Sequence, residues 1–249
     1  MSVDVQRLDR ILVITMQRPE KRNAINRELA FGISAALDTL DDDEQLWVGV
    51  LTGTPDVFSA GTDLREGADA RTERGGEYGL IRRRRRKPLI AAVEGPCLGG
   101  GFEIALACDL IVASTTARFG LPESRRGLIP SSGALFRAIR ALPVHVAKQL
   151  MITGAELTAE RAHALGVVNE VTGPGAALEA ATRLAEDVAQ SSPVAVQAVL
   201  AGVSAQFDAA DSAGWAETDR AVAAVMASTD LQEGIAAFFE RRPPQWTGR

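Results

Sequence analysis

The most constraining feature of the sequence is a pair of short, wholly apolar runs, each closed by a turn that contains glycine and proline. Trp47–Leu51 is followed by Thr52-Gly53-Thr54-Pro55, and Leu89–Val93 is followed by Glu94-Gly95-Pro96. Runs of this length without polar alternation are typical of strands buried on both faces of a parallel sheet. Helix-like segments lie between the strand-like ones, so the sequence predicts an α/β fold with mostly parallel strands.

The remaining segments continue this alternation of strands and helices. Further strands are predicted at Val3–Leu8, Ile11–Met16, Leu110–Ala113 and Val167–Val171, and helices at residues 27–40, 102–108, 175–191, 193–206, 209–227 and 229–241. The last four helices are rich in alanine, which favours close packing within the chain or against another subunit. A polar break at Gln190–Pro193 predicts a boundary between residues 1–192 and a C-terminal helical region, residues 193–249.

Side chains that usually transfer protons or bind metals are scarce in this sequence. The 249 residues include two His, two Cys and one Tyr, and only three of the 27 basic residues are Lys. Neither a metal centre held by histidines, a zinc cluster nor a CxxC redox pair is expected from this composition. If the chain is an enzyme, carboxylates or backbone groups are expected to carry the chemistry.

The net charge of −5 argues against binding to nucleic acid or to an anionic membrane through bulk charge. No apolar run approaches the roughly 18 residues of a membrane span, and the first ten residues lack the apolar core of a signal peptide. Cys97 and Cys108 lie in an apolar stretch and are expected to be buried free thiols. These features favour a cytoplasmic protein with neither nucleic acid nor a membrane as partner.

Three segments combine glycine turns with carboxylates: Phe58–Leu64, Gly95–Glu103 and Phe119–Glu123. In the second, three consecutive glycines join a strand to a helix, whose first N–H groups favour a developing negative charge. Glu103 follows Gly100 by about one helical turn and so lies on the same face. Taken alone, the glycine turn is equally typical of a purely structural turn, and each glutamate is more typical of an acid that stabilises the start of a helix. Their combination favours a catalytic site.

The order and spacing of these segments resemble those of the crotonase (enoyl-CoA hydratase/isomerase) superfamily over nearly the whole chain. The likeness starts at Arg18–Asn26, which is similar to the family's RPxxxNA[LI]N, and it ends at Ala237–Arg242. The resemblance implies a spiral of ββα turns with a C-terminal helical region that forms trimers or hexamers. It also implies a coenzyme A thioester as ligand and no further cofactor, since the substrate carries the coenzyme A.

The resemblance implies roles for individual residues as well. The backbone N–H groups of Thr62 and Gly100 match the family's oxyanion hole, and Glu103 and Glu123 match its two acid/base glutamates. The family's positions around the coenzyme A are matched by Arg22, Ala24, Ala60, Asp63 and Leu64. Phe238 and Arg241 match a C-terminal patch that touches the coenzyme A, often that of a neighbouring subunit.

These residues predict an enoyl-CoA hydratase, which adds water reversibly to a 2-enoyl-CoA thioester. Isomerases of the family usually keep only the acid matched by Glu123, so the presence of Glu103 favours hydration over isomerisation. The stretch Gly95–Ile139 and the ending Trp246–Arg249 also resemble the carnitinyl-CoA dehydratase branch. A non-catalytic acyl-CoA-binding protein is the third interpretation.

Two parts of the sequence depart from the family pattern or lie outside it. Ser131 and Ala134–Phe136 replace residues of the family's PGxGGTQ, in a segment expected to start a helix beside the acyl pocket, and Thr62 stands where the family often has Ala. Arg82–Arg86 and Lys87 form a run of six cations. We expect a solvated helix face near a subunit contact, the alternative being attraction of the coenzyme A phosphates.

Overall fold

Short strands alternate with helices throughout the computed structural model, which describes residues 2–66 and 70–249. The strands are β1 Val3–Leu8, β2 Ile11–Met16, β3 Val48–Thr52, β4 Arg71–Thr72, β5 Gly76–Glu77, β6 Leu89–Val93, β7 Pro96–Leu98, β8 Leu110–Ser114, β9 Arg118–Gly120, β10 Glu156–Thr158 and β11 Glu170–Thr172. The helices are α1 Arg27–Asp42, α2 Gly100–Ala107, α3 Ala134–Ala141, α4 Val144–Thr153, α5 Ala159–Ala164, α6 Ala177–Ala189, α7 Pro193–Ala205, α8 Asp208–Met226 and α9 Thr229–Glu240. Short 3-10 turns lie at Pro19–Lys21 and Glu123–Arg126.

The larger sheet has six strands in the order β1-β2-β3-β6-β8-β11. Only β1 and β2 pair antiparallel, and every other neighbouring pair is parallel. All residues of β3 and β6 are buried, because helices cover both faces of the sheet. The predicted α/β class with mostly parallel strands is confirmed.

The two faces of this sheet belong to separate apolar clusters. On one face, alternate side chains such as Val50 and Ile90 pack against the alanines of α6. On the other face, Leu51 and Ala91 pack against α1 and α2 within the larger core cluster. Small alanine side chains let the α6 backbone approach the sheet closely, as the alanine-rich pattern predicted.

A second, smaller sheet lies beyond the carboxyl ends of the first. Strand β9 pairs in parallel with β7 and antiparallel with β10, and an isolated parallel bridge adds Ser59 beside Cys97. The chain therefore passes from a strand of the large sheet to a strand of the small sheet and then to a helix, as in β6-β7-α2. This is the spiral of ββα turns that the family resemblance implied, and the fold is confirmed.

The last three helices contribute little to the core of the single chain. Helix α7 has no buried residue and exposes apolar side chains, including 75% of Val194 and 63% of Val199, while α8 buries only Thr218. Among residues 2–66 and 70–249, no single helix is long and apolar enough to cross a membrane. Helices α6 and α7 would together reach that length, but they meet at a bend of 105°.

The run of cations at 82–87 is not helical, so that part of the expectation is wrong, although Arg84 and Arg86 are exposed to solvent. It forms a loop whose side chains are bound to acids and carbonyls elsewhere in the chain. Arg83 is buried against Asp38 and Asp41 of α1, and Lys87 donates to the carbonyl oxygens of Leu40 and Asp43, at 2.7 Å each. These contacts with the acidic end of α1, which is far away in sequence, hold the segment in a loop conformation.

The strand predicted at Val167–Val171 is shifted along the chain and begins at Glu170. The N–H of Val167 donates to the carbonyl oxygen of Ala162 at 3.0 Å, so this residue closes the end of α5 instead of joining the sheet. Burial of Val167 and Val168 explains their apolar character without a strand.

Candidate active site

The predicted site residues converge at the carboxyl ends of three parallel segments of the small sheet. The segments are the one around Ser59, β7 and β9, which lie side by side. The chain leaves the first towards Thr62, the second towards Gly100 and Glu103, and the third towards Glu123. Because parallel strands end at a common edge, residues distant in sequence meet there.

The loops that carry Thr62 and Gly100 are in direct contact. Gly61 has φ +91°, and a Cβ atom at this position would lie 2.9 Å from the carbonyl oxygen of Leu98 and 3.0 Å from the nitrogen of Gly100. Only glycine permits this approach, which brings the residue directly before Thr62 against the first residue of α2. Gly99, at φ +54°, then turns the chain from β7 into that helix.

Glu103 lies in the first turn of α2 and is only 2% exposed. Its Oε1 accepts hydrogen bonds from the backbone N–H groups of Ser132, at 2.7 Å, and Ala134, at 3.1 Å. Burial, and then the negative charge of Glu123, raise the pKa of Glu103 to about 8, whereas the two backbone donors oppose that rise. The segment that departs from the family pattern thus holds this carboxylate, and α3 begins there at Ala134, as expected.

Glu123 starts the 3-10 turn that follows β9, and its carboxylate faces the glycine turn before α2. A Cβ atom on Gly99 would lie 2.9 Å from Glu123 Oε1, so the carboxylate lies directly against this turn. Burial raises the pKa of Glu123 to about 7, and Arg126 opposes that rise. Its Oε2 is buried and meets no hydrogen-bond donor in the part of the chain that the structure describes.

The two glutamates interact strongly enough to titrate as a pair. Their raised pKa values favour a protonated member of the pair near neutral pH, so one glutamate can act as the acid and the other as the base. Within residues 2–66 and 70–249, no group of three or more His, Cys, Asp or Glu is placed to hold a metal ion.

The residues matched to coenzyme A positions lie on two paired loops beside these glutamates. The N–H of Ala60 donates to the carbonyl oxygen of Arg22 at 3.0 Å, and that of Asp63 donates to the carbonyl oxygen of Ile25 at 3.0 Å. Arg22 has φ +53° and an exposed side chain, whereas Ala24 is half-buried. The two loops therefore present one continuous edge next to Thr62.

An ion pair connects the same two loops. Arg18 donates from Nη1 to Asp63 Oδ2 at 2.6 Å and to the carbonyl oxygen of Ala24 at 2.9 Å. Burial of Asp63 opposes ionisation, but the hydrogen bonds from Arg18 and the Arg65 N–H outweigh it and lower the pKa of Asp63. Through Arg18, Asp63 therefore holds its own loop against the loop of Ala24. Leu64, the next residue, is half-buried.

The C-terminal residues matched to coenzyme A lie near these loops in the same chain. Helix α9 packs on the turn of Glu123, and the Arg126 guanidinium lies 4.7 Å from the centre of the Phe238 ring. Arg65 lies over Phe239 at 5.3 Å, which connects α9 to the loop of Asp63 and Leu64. Arg241 ends α9 in the left-handed conformation with an exposed side chain.

Two residues that the motif pattern missed, Tyr78 and Ser132, share with the predicted Thr62 the lining of a cavity of about 210 Å³. Thr62, Tyr78, Ser131 and Ser132 line it with hydroxyl groups, and Asp219 of α8 closes one side. The sequence offered one signal for Tyr78, the flanking Gly75-Gly76 and Gly79, but nothing in it shows where that loop packs. Ser132 binds Glu103 through its backbone N–H, a contact that cannot be predicted from the type of residue at this position.

Comparisons with known proteins agree with this geometry. A family model described as enoyl-CoA hydratase/isomerase matches residues 6–249. Mevalonyl-coenzyme A hydratase from Aspergillus fumigatus is 38% identical over 246 residues, covering 95% of this chain and 91% of that one. The 2,3-dehydroadipyl-CoA hydratase of Escherichia coli is 38% identical over 250 residues, covering 98% of each chain. The crystal structure of carnitinyl-CoA hydratase from Mycobacterium avium has a TM-score of 0.95 at 38% identity, covering 100% of this chain and 99% of that one. The chain belongs to the enoyl-CoA hydratase/isomerase family.

Proposed function

We propose that this protein is an enoyl-CoA hydratase that adds water reversibly to a 2-enoyl-CoA thioester. The observation that carries the proposal is the pairing of the buried Glu103 and the half-buried Glu123 with two glycine loops that are in direct contact. Hydration needs an acid, a base and a site for negative charge, and these groups supply all three.

The N–H groups of Thr62 and Gly100 are proposed to bind the thioester oxygen. Attack of water at Cβ moves electrons onto that oxygen, and aimed backbone donors stabilise the resulting enolate by about 3 kcal/mol each. The ionised member of the pair Glu103 and Glu123 takes a proton from the water, and the protonated member gives its proton to Cα. The unpartnered Oε2 of Glu123 is free to accept a hydrogen bond in this step.

The loops around the pair are proposed to hold the coenzyme A portion of the substrate. Arg22, Ala24, Ala60, Asp63 and Leu64 form one edge, and Phe238 and Arg241 extend it from α9. No separate cofactor takes part in the proposed reaction, because the substrate brings its own coenzyme A.

The test is the loss of the ultraviolet band of the conjugated thioester when crotonyl-CoA is added. Glu103→Gln and Glu123→Gln should each lower kcat by about 10²- to 10⁴-fold, since each removes an acid or a base without changing the shape of the side chain. Glu186→Gln, an exposed change on α6, is the matched control. Near-wild-type turnover by either site variant would rule out the two-glutamate mechanism, and binding without turnover of any enoyl-CoA would revive a non-catalytic role.

A second candidate is a carnitinyl-CoA dehydratase-like reaction, which uses the same chemistry on a trimethylammonium substrate. A cation of this kind requires an aromatic ring or a carboxylate, and the cavity offers both in Tyr78 and Asp219. Comparison of kcat/KM for crotonobetainyl-CoA and crotonyl-CoA separates the two. A 3-enoyl-CoA tests isomerisation, which Glu103 disfavours.

We further propose that the protein is a homotrimer, or a hexamer built from two trimers, in the cytoplasm. The exposed apolar side chains of α7 support assembly, because a helix with this much exposed apolar surface is typical of subunit interfaces. The free thiols of Cys97, which is buried, and Cys108, which is partly buried, suit a reducing compartment.

A further inference from the structure

Tyr78 has an unusual backbone and an unusual position. Its φ is +56°, a left-handed conformation that costs a residue other than glycine about 1 kcal/mol, yet its side chain is only 6% exposed. Such strain persists only where the surroundings enforce it. A Cβ atom on the neighbouring Gly79 would lie 2.2 Å from the carbonyl oxygen of Ala30, so this loop is pressed against α1.

The strained loop places the tyrosine ring on the start of α2. A Cβ atom on Gly100 would lie 2.7 Å from the Tyr78 Oη and 2.8 Å from its Cζ, so the ring covers the bare Cα of Gly100. The same hydroxyl forms a 2.7 Å hydrogen bond with Oγ1 of Thr62. One side chain therefore touches both residues whose amides form the proposed oxyanion hole.

We propose that Tyr78 is a positioning residue that fixes the oxyanion hole by binding the Thr62 side chain while packing on Gly100. This inference rests on the proposed hydratase function. Thr62, which stands where the family often has Ala, supplies the hydroxyl that makes this contact possible. The two amides aim at one point only if their loops hold a fixed separation, and a shift of about 1 Å can cost as much as a hundredfold in rate.

The electrostatic surroundings keep the Tyr78 hydroxyl in the form that this role needs. Burial, and then the negative charge of Glu103, raise the pKa of Tyr78 well above its ordinary value. The group remains a neutral hydroxyl over the working pH range, able to donate one hydrogen bond and accept another.

The kinetic test compares Tyr78→Phe, which removes only the hydroxyl, with Thr62→Ala, which keeps the Thr62 amide. Each should lower kcat for crotonyl-CoA about tenfold with little change in KM, and the double variant should be no slower than either single one. Thr62→Ser should restore the rate. Thr52→Val is the matched control, since it removes a buried hydroxyl bonded to the Ala92 carbonyl oxygen in the large sheet. Additive losses, or unchanged kcat in Tyr78→Phe, would overturn the proposal.

A spectroscopic readout separates this role from general loss of stability. Butyryl-CoA carrying 13C at the thioester carbonyl lacks the double bond needed for hydration, and its infrared C=O stretch reports the hydrogen bonds to that oxygen. The wild-type protein should lower this frequency, and Tyr78→Phe should lower it less, while Thr52→Val matches the wild type. An inactive wild type would contradict the proposed function itself. An active wild type with identical stretches in all three proteins would contradict only the role of Tyr78.

Discussion

The decisive residues of the site are two carboxylates that the fold keeps from ionising together. Glu103 is buried and bonded to two amides, and Glu123 is half-buried with its Oε2 buried and unpartnered, so removing both protons would place two charges where water solvates them poorly. The two glutamates therefore take the role that His or Lys, which are scarce in this sequence, have in other proton-transfer sites. Burial and mutual repulsion give these two glutamates the titration range that histidine has elsewhere.

The raised pKa values predict a stability that falls with rising pH. The folded state holds a proton on Glu103 up to about pH 8, whereas the unfolded chain releases it near 4.5, so folding binds protons between these values. Stability should therefore be highest near pH 5 and decline towards pH 9. Glu103→Gln removes this titration and should gain about 4 kcal/mol relative to the wild type between pH 5 and pH 9.

Urea unfolding at a series of pH values measures this effect. Glu186→Gln, at an exposed position, should keep the slope of the wild type. Parallel curves for Glu103→Gln and the wild type would show that the carboxylate is not protonated in the folded state.

At the scale of elements, the sequence pattern identified the large sheet and missed most of the small one. Apolar runs such as Leu89–Val93 are visible because strands buried on both faces exclude polar residues. The strands of the small sheet, such as Pro96–Leu98 and Glu156–Thr158, have three residues each, which is too short for a periodic pattern to distinguish them from a loop.

The part of the candidate site that was predictable is the part that depends on residue types and their spacing. Glu103, Glu123 and the glycine turns are readable in that way. The long-range contacts of Tyr78, and the pairing of Arg83 with Asp38 and Asp41, join segments whose sequence carries no sign of the partner.

The contact between α9 and the turn of Glu123 predicts that a small change in this helix alters catalysis. A Cβ atom on Gly234 would lie 2.2 Å from the carbonyl oxygen of Arg126, a backbone atom that cannot move aside cheaply. Gly234→Ala should displace the turn, lower kcat several-fold and cost about 2 kcal/mol of stability. Steady-state kinetics and thermal unfolding measure both effects.

Gly173→Ala is the matched control for this substitution, because a Cβ atom there would meet nothing within 4 Å. It should leave both quantities near the wild-type values. A Gly234→Ala protein with the melting temperature and kcat of the wild type would show that α9 does not constrain the turn.

At the scale of the whole molecule, α7 is a helix whose apolar side chains find no packing partner within the single chain. Its apolar side chains on several faces are exposed, although such a helix is stable in water only when packed. If α7 forms the proposed subunit interface, Val199→Asp should place a charge in an apolar contact and dissociate the assembly. Sedimentation velocity should then give a mass near 26.4 kDa in place of a multiple of it.

Val5→Asp makes the same change at an exposed valine of β1 and should leave the assembly intact. A wild-type protein that sediments as a monomer would contradict the proposal, as would an unchanged mass for Val199→Asp.

The position of Tyr78 also makes the protein its own reporter. The chain contains one tyrosine, and that residue touches both proposed oxyanion-hole residues. Labelling tyrosine with 13C or fluorine would therefore give a single nuclear magnetic resonance signal that originates at the reaction centre. Ligand occupancy, exchange between bound states and loop motion could be followed there without introducing a foreign probe.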